Sequence, residues 1–151
     1  MSQAVVILGH GSRAPGASAA MQRVVAGLRA RVTASRVELA HMSQCSPTLE
    51  QVIATCAAEG AREILVVPYF LHQGVHLKSD IPRLLHELQV QHAGVTIRLG
   101  PHLGFDEAIV DLLVRRVAEA RSAPGIAAAE PASEQPLGLG ASPCAGTRIE
   151  G

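Results

Sequence analysis

The 151 residues suffice for one domain of ordinary size, able to bury about two thirds of the surface its unfolded chain exposes. Thirteen basic and thirteen acidic residues cancel, so no basic stripe is available to neutralise nucleic-acid phosphates. The 48% hydrophobic fraction is aliphatic, with no Trp, one Tyr and two Phe, and stacking platforms for bases are missing.

In chain order, residues 4–8 form a short β-branched run that reads as a strand. The loop Gly9-His10-Gly11-Ser12-Arg13 follows, and a helical pattern covers 17–32. A second strand is expected over 36–40. Ser46 can cap the next helix, 47–59, with Pro47 at its first position, where a missing N–H costs nothing. Residues 63–67 form a third strand, and a long loop then runs from Pro68 to Asp80. Asp80 can cap a helix over 81–91 that holds Pro82 in its first turn. A fourth strand spans 95–99, and Ile109, Leu112, Leu113 and Val117 recur at helical spacing within 105–121. Gly60 and Gly94 suit helix ends. Residues 122–151 carry Pro124, Pro131, Pro136, Pro143 and five glycines in an Ala-rich stretch without sustained period, the composition of a disordered tail.

Strand and helix alternating four times predict an α/β fold, a three-layer sandwich around a four-stranded parallel sheet with flavodoxin-like topology. The apolar runs 5–8 and 64–67 suit central strands, and residues 1–121 constitute the expected domain. Cys45, Cys56 and Cys144 lack the paired spacing of a zinc or redox site and read as idle thiols. No stretch of about 18 apolar residues occurs, and no basic leader precedes the first strand. A cytoplasmic protein without membrane contact is expected.

In an open parallel sheet, ligands bind outside the carboxyl ends of the strands, where strand order reverses. With the order 2-1-3-4 that point lies between strands one and three, so the loops holding His10 and His72/His76 meet at one crevice. His10, between two glycines at a strand end, is open to a ligand. His72 and His76 are four apart, but Gly74 separates them and the helix begins later, so the residues alone do not choose between them. Residues 9–14 also satisfy a GxGxxA nucleotide pattern. That reading needs an acidic residue at the end of strand two, where Ala40-His41-Met42-Ser43 stands instead. His86 and His92 lie in or beside a helix among polar neighbours.

Gly-His-Gly-Ser-Arg after the first strand, and Val-Pro-Tyr-Phe-Leu running through Gly74-Val75-His76 to Asp80-Ile81-Pro82 after the third, resemble the class II chelatases, specifically the short form of the sirohydrochlorin chelatase family. The resemblance extends from residue 4 to about residue 120. It implies that His10 and His76 bind a divalent metal, Co²⁺, Fe²⁺ or Ni²⁺, and assist its insertion into a sirohydrochlorin-like tetrapyrrole. The metal is then a substrate, and no cofactor is permanently bound. Imidazole is a borderline ligand with a near-neutral pKa, able to hold such an ion and to accept a proton. The ring's carboxylates imply Gly11, Ser12, Arg13, Lys78 and the N–H groups of helix starts near Ser12 and Ser79 as partners.

The resemblance has two further consequences. Relatives often carry a glutamate in the stretch before Pro47, near position 43, where this chain has Ser43; His41 at the same strand end is a candidate substitute, with a buried strand-end imidazole the favoured reading, and His102 could support the site from behind. Long members hold two tandem domains around one cleft, which implies a homodimer here. The alternatives are a non-catalytic metal or tetrapyrrole carrier and a flavodoxin-like nucleotide binder.

Overall fold

A computed structural model describes residues 2–12, 16–42, 45–72, 74 and 78–125. The chain divides into two compact units, Met1–Gly104 and Phe105–Gly151. In the first, strand β1 (Gln3–Gly9), helix α1 (Ala17–Arg29), β2 (Arg36–His41), α2 (Leu49–Ala58), β3 (Glu63–Pro68), α3 (Asp80–Gln91) and β4 (Thr96–Leu99) alternate as expected. The strands form a single parallel sheet in the order β2-β1-β3-β4. β1 is central, and its Leu8 stands beside Ala40 on one side and Pro68 on the other. The predicted α/β architecture with a four-stranded parallel sheet is therefore the fold of the protein.

Alternation along the strands splits the core into two clusters, because successive side chains point to opposite faces. Ala4, Val6, Leu8, Ala40, Ile64 and Val66 pack with Ile53 of α2 and Ile81 and Leu85 of α3. Val5, Ile7, Val37 and Leu39 face the other way, onto Val25 of α1. Leu8, Ile53, Ile64 and Ile81 are essentially inaccessible, each burial contributing about 1.5–3 kcal/mol. At the amino edge, Gln3 Nε2 donates to Glu63 Oε2 (2.6 Å) and Arg98 Nε to Glu63 Oε1 (2.7 Å), tying three neighbouring strands together. These two bonds, Gln3 first, hold the Glu63 carboxyl below its usual range.

Helix starts differ from expectation. α2 begins at Leu49, capped by Thr48 rather than Ser46: Thr48 Oγ1 accepts from the Gln51 N–H (3.4 Å) and Gln51 Oε1 from the Thr48 N–H (2.9 Å). The Ser46–Pro47 peptide is cis, and Pro47 stays outside the helix, its carbonyl accepting from the His41 N–H. This reciprocal capping box satisfies two of the donors that every helix start leaves over, so it displaces the simpler serine cap. Asp80 is the first residue of α3, with Ser79 as its cap. Gly60 does end α2, at φ +88. α1 stops at Arg29, short of residue 32, and β4 starts at Thr96.

In the second unit, α4 (Glu107–Ser122) is capped by Asp106, whose carboxylate accepts from the Ala108 N–H at 2.8 Å. Glu107 lies in its first turn and Arg121 in its last, the arrangement that suits the helix dipole. From residue 126 onward the expected tail, with Cys144, lies outside the described residues. Cys56 is buried in the first cluster, and that burial raises its thiol pKa, which suits an idle residue. Among the described residues no helix is long and apolar enough to cross a membrane.

Candidate functional site

The site is built where β1 and β3 end side by side. The β1–β3 ladder runs from Gln3↔Glu63 to Leu8↔Pro68 and continues as the Tyr69 N–H donates to the Leu8 carbonyl at 2.9 Å. His10 is the first residue past β1 and is exposed. Its ring lies against Phe70, with centroids 4.0 Å apart and planes inclined at 48°. The loops after strands one and three thus meet, and the described contact between them is aromatic.

Next to His10 a cavity of about 490 Å³ opens between the first turns of α2 and α3. Among the described residues, Met42, Leu49, Ile81 and Leu84 supply its apolar wall, and Glu50, Asp80 and Glu87 its carboxylates, against one guanidinium, Arg83. Arg83 Nη2 stands 3.9 Å from Asp80 Oδ1, an exposed pair worth little. The described lining therefore carries more negative than positive charge. Sequence reasoning missed it, although Asp80, Leu84 and Glu87 are spaced four and seven apart on α3 and so share one helix face.

Of the expected site residues, His10 stands at this crevice. Gly11 follows with φ +84, a left-handed backbone that a glycine adopts without strain. Ser12 is exposed in the loop; α1 begins only at Ala17, with Gly16 as its cap, so Ser12 is not at a helix start. Lys78 is exposed just ahead of α3. Arg13, Ser43 and His76 lie outside the described residues. His72 is exposed, as is His86, and His92 closes the carboxyl end of α3. Among the described residues, no three His, Cys, Asp or Glu side chains converge as a metal-binding group.

His41 occupies the end of β2, in register with Gly9, but on the α1 side. A Cβ on Gly9 would meet Met21 Cε at 3.5 Å and His41 Nδ1 at 3.9 Å, and Met21 packs with the α1 cluster. The next residue, Met42, points the other way and lines the cavity with His10. His41 is 8% exposed and its Nδ1 has no hydrogen-bond partner. Burial pulls its pKa below the usual histidine value, since a low-dielectric surrounding disfavours the charged ring. Strand alternation sends the two imidazoles to opposite faces, so His41 is the buried strand-end imidazole that the sequence reading favours and not a substitute for the glutamate beside His10.

His102 is half-buried in the loop after β4. The N–H groups of Leu103 and Gly104 in the same loop donate to the Phe70 carbonyl at 3.0 and 3.5 Å. This loop therefore reaches the crevice through Phe70.

Comparison with known proteins places this arrangement. The sequence profile of the CbiX family matches residues 4–120. The sirohydrochlorin ferrochelatase of Bacillus subtilis (strain 168) is 31% identical over 117 residues, which cover 78% of this chain and 45% of that protein. The sirohydrochlorin cobaltochelatase of Methanococcus aeolicus is 32% identical over 138 aligned positions, covering 76% of this chain and 96% of that one. Among solved structures, the sirohydrochlorin chelatase SirB from Bacillus subtilis subspecies spizizenii in complex with cobalt superposes with a TM-score of 0.74 at 31% identity, covering 79% of this chain and 51% of that chain. The chain spans about half the length of the Bacillus relatives it matches. Fold, motif spacing and profile agree: this chain belongs to the CbiX family.

Proposed function

We propose that the chain is a chelatase that inserts a divalent metal ion, Co²⁺, Fe²⁺ or Ni²⁺, into sirohydrochlorin or a closely related tetrapyrrole. The observation that carries this reading is His10: an exposed imidazole just past the carboxyl end of β1, on the rim of the cavity, in the motif by which the chain resembles its relatives. Insertion strips water from the ion and replaces two pyrrole N–H protons with it. His10 and His76 are the residues assigned to hold the ion and take up protons, which imidazole does in the physiological pH range. Two nitrogen ligands release an ion that a thiolate cage would retain.

The two substrates carry opposite charge, and the residues assigned to them differ in charge accordingly. The carboxylates of Glu50, Asp80 and Glu87 in the cavity favour an approaching dication over a polycarboxylate. Arg13 and Lys78, with the backbone N–H groups of Gly11 and Ser12, are assigned to the macrocycle's carboxylates. A ring of that size needs a second wall, which a homodimer would provide where the longer relatives use a second half. Placement in the cytoplasm fits both substrates.

The test is turnover. Purified protein with sirohydrochlorin and Co²⁺, Fe²⁺ or Ni²⁺ should accelerate the absorbance change of metal insertion through many equivalents per protein. The serine at position 43, where relatives often carry glutamate, favours one second reading: a non-catalytic carrier. Its signature would be insertion or binding that halts at one equivalent. Light scattering that finds only monomer in the active protein would refute the homodimer.

A further inference from the structure

His10 follows the last residue of β1 and is exposed, so the strand ladder does not hold its side chain. The ring it rests on, by contrast, is anchored from several directions. Phe70 is 3% exposed and belongs to the larger core cluster. The residue before it, Tyr69, is bonded through its N–H to the Leu8 carbonyl at 2.9 Å, and the Phe70 carbonyl accepts from Leu103 (3.0 Å) and Gly104 (3.5 Å). Gly104 allows that return of the chain: its φ is +53, and a Cβ there would stand 3.2 Å from His102 Nε2. A continuous set of rigid parts therefore runs from the loop after β4, through Phe70, to the imidazole of His10.

We infer that Phe70 is a positioning residue, an aromatic surface that holds the His10 ring in one orientation before metal arrives. The inference rests on the reading of His10 as a metal-handling residue. The pair is tilted, with planes at 48° and centroids 4.0 Å apart, which puts the imidazole in direct contact with the phenyl ring, slightly nearer than the separations aromatic pairs commonly favour. A ring held against Phe70 before the ion arrives has less freedom to lose when the ion binds. Removing the aromatic surface should weaken metal binding by roughly three- to tenfold, the range set by freezing one side chain.

The experiment titrates the purified protein with Co²⁺ alone, following the visible absorption of the bound ion, alongside melting temperature and insertion kinetics. Phe70→Leu and Phe70→Met keep an apolar side chain in the core and remove the ring; Phe70→Tyr keeps the ring. The first two should bind Co²⁺ roughly three- to tenfold more weakly, with shifted absorption bands and a raised KM for metal while kcat moves less. Phe70→Tyr should restore the wild-type affinity and bands. Gly104→Ala, made away from the imidazole, should shift the bands in the same direction by a smaller amount. If the Leu and Met variants only melt earlier and bind Co²⁺ as wild type does, Phe70 is a core residue and the inference is overturned. A Tyr variant no better than the Leu variant overturns it as well. His10→Ala separates the two layers of the argument. If it leaves Co²⁺ binding unchanged, the metal reading itself fails and takes the positioning role with it.

Discussion

The two histidines at the carboxyl edge of β1 and β2 are close in the sheet and opposite in circumstance. His41 pairs in register with Gly9, one residue before His10. Yet His41 is buried toward α1 with an unpartnered Nδ1, whereas His10 is exposed, backed by Phe70 and open to the cavity between α2 and α3. Nearness along a strand edge does not make a site. The period of two does the sorting, and a residue one position away serves the other layer of the sandwich.

The largest effect that tests this contrast is on turnover. His10→Ala should lower kcat/KM for metal insertion by about 10² or more, the scale of losing a group that positions the ion and moves protons, while the melting temperature changes little because the side chain is exposed. His76→Ala should match it, and His72→Ala should fall far short. Steady-state insertion assays with thermal melts decide this, and a His72→Ala loss exceeding that of His76→Ala would reverse the assignment within the third loop. A different kind of damage is expected from the core beneath the site. Ile81→Ala removes a fully buried side chain at the start of α3 and should cost about 2–5 kcal/mol in denaturant unfolding.

Much of this layout can be read before folding is considered. β1 and β3 are short apolar runs with no polar face, which only a sheet covered on both sides can bury, and the glycines around His10 mark a strand end that must admit a ligand. The helix starts were harder, because Ser46-Pro47 and Thr48-Leu49-Glu50-Gln51 are both plausible openings, and a reciprocal side-chain bond three residues apart decides between them. The Phe70 contact was not legible at all. The ring belongs to an apolar stretch like any other, and its position under His10 depends on the sheet register and on the loop after β4, which is distant in sequence. The acidic cavity lining falls between these cases: the spacing of Asp80 and Glu87 shows a shared face, but the facing Glu50 comes from another helix.

A smaller effect should distinguish the two substrates on the His10 side. Arg13→Ala and Lys78→Ala are expected to raise KM for the tetrapyrrole several-fold with little change in kcat, as loss of binding that is equal in ground and transition states requires. Added salt should shrink the difference, since exposed charges are screened. Glu87→Gln, in the cavity, should act on the metal's KM and leave the tetrapyrrole's unchanged. Initial-rate measurements with each substrate varied in turn separate these. A variant that moves the wrong KM would show that the charges are not divided between the substrates in this way.

The smallest expected effect on turnover belongs to His41, and it comes with a pH signature. Burial lowers the pKa of this imidazole below the reference value of 6.5. Between the depressed native value and that reference, the unfolded chain binds more protons than the folded one, so stability rises with pH across this window. The contribution of a neutral, buried His41 is complete above about pH 6.5 and is lost as pH falls toward the native value. His41→Leu removes both the titrating group and the unpartnered Nδ1. The melting-temperature difference between wild type and variant should be smallest and constant near pH 7.5 and grow in the variant's favour as pH approaches 5, while insertion rates stay within about twofold, as expected of a change away from the reacting groups. Parallel melting curves across that range would show that His41 does not carry the acid sensitivity. A loss of turnover comparable to that of His10→Ala would show that both imidazoles serve one site, and that alternation at the strand ends does not separate them.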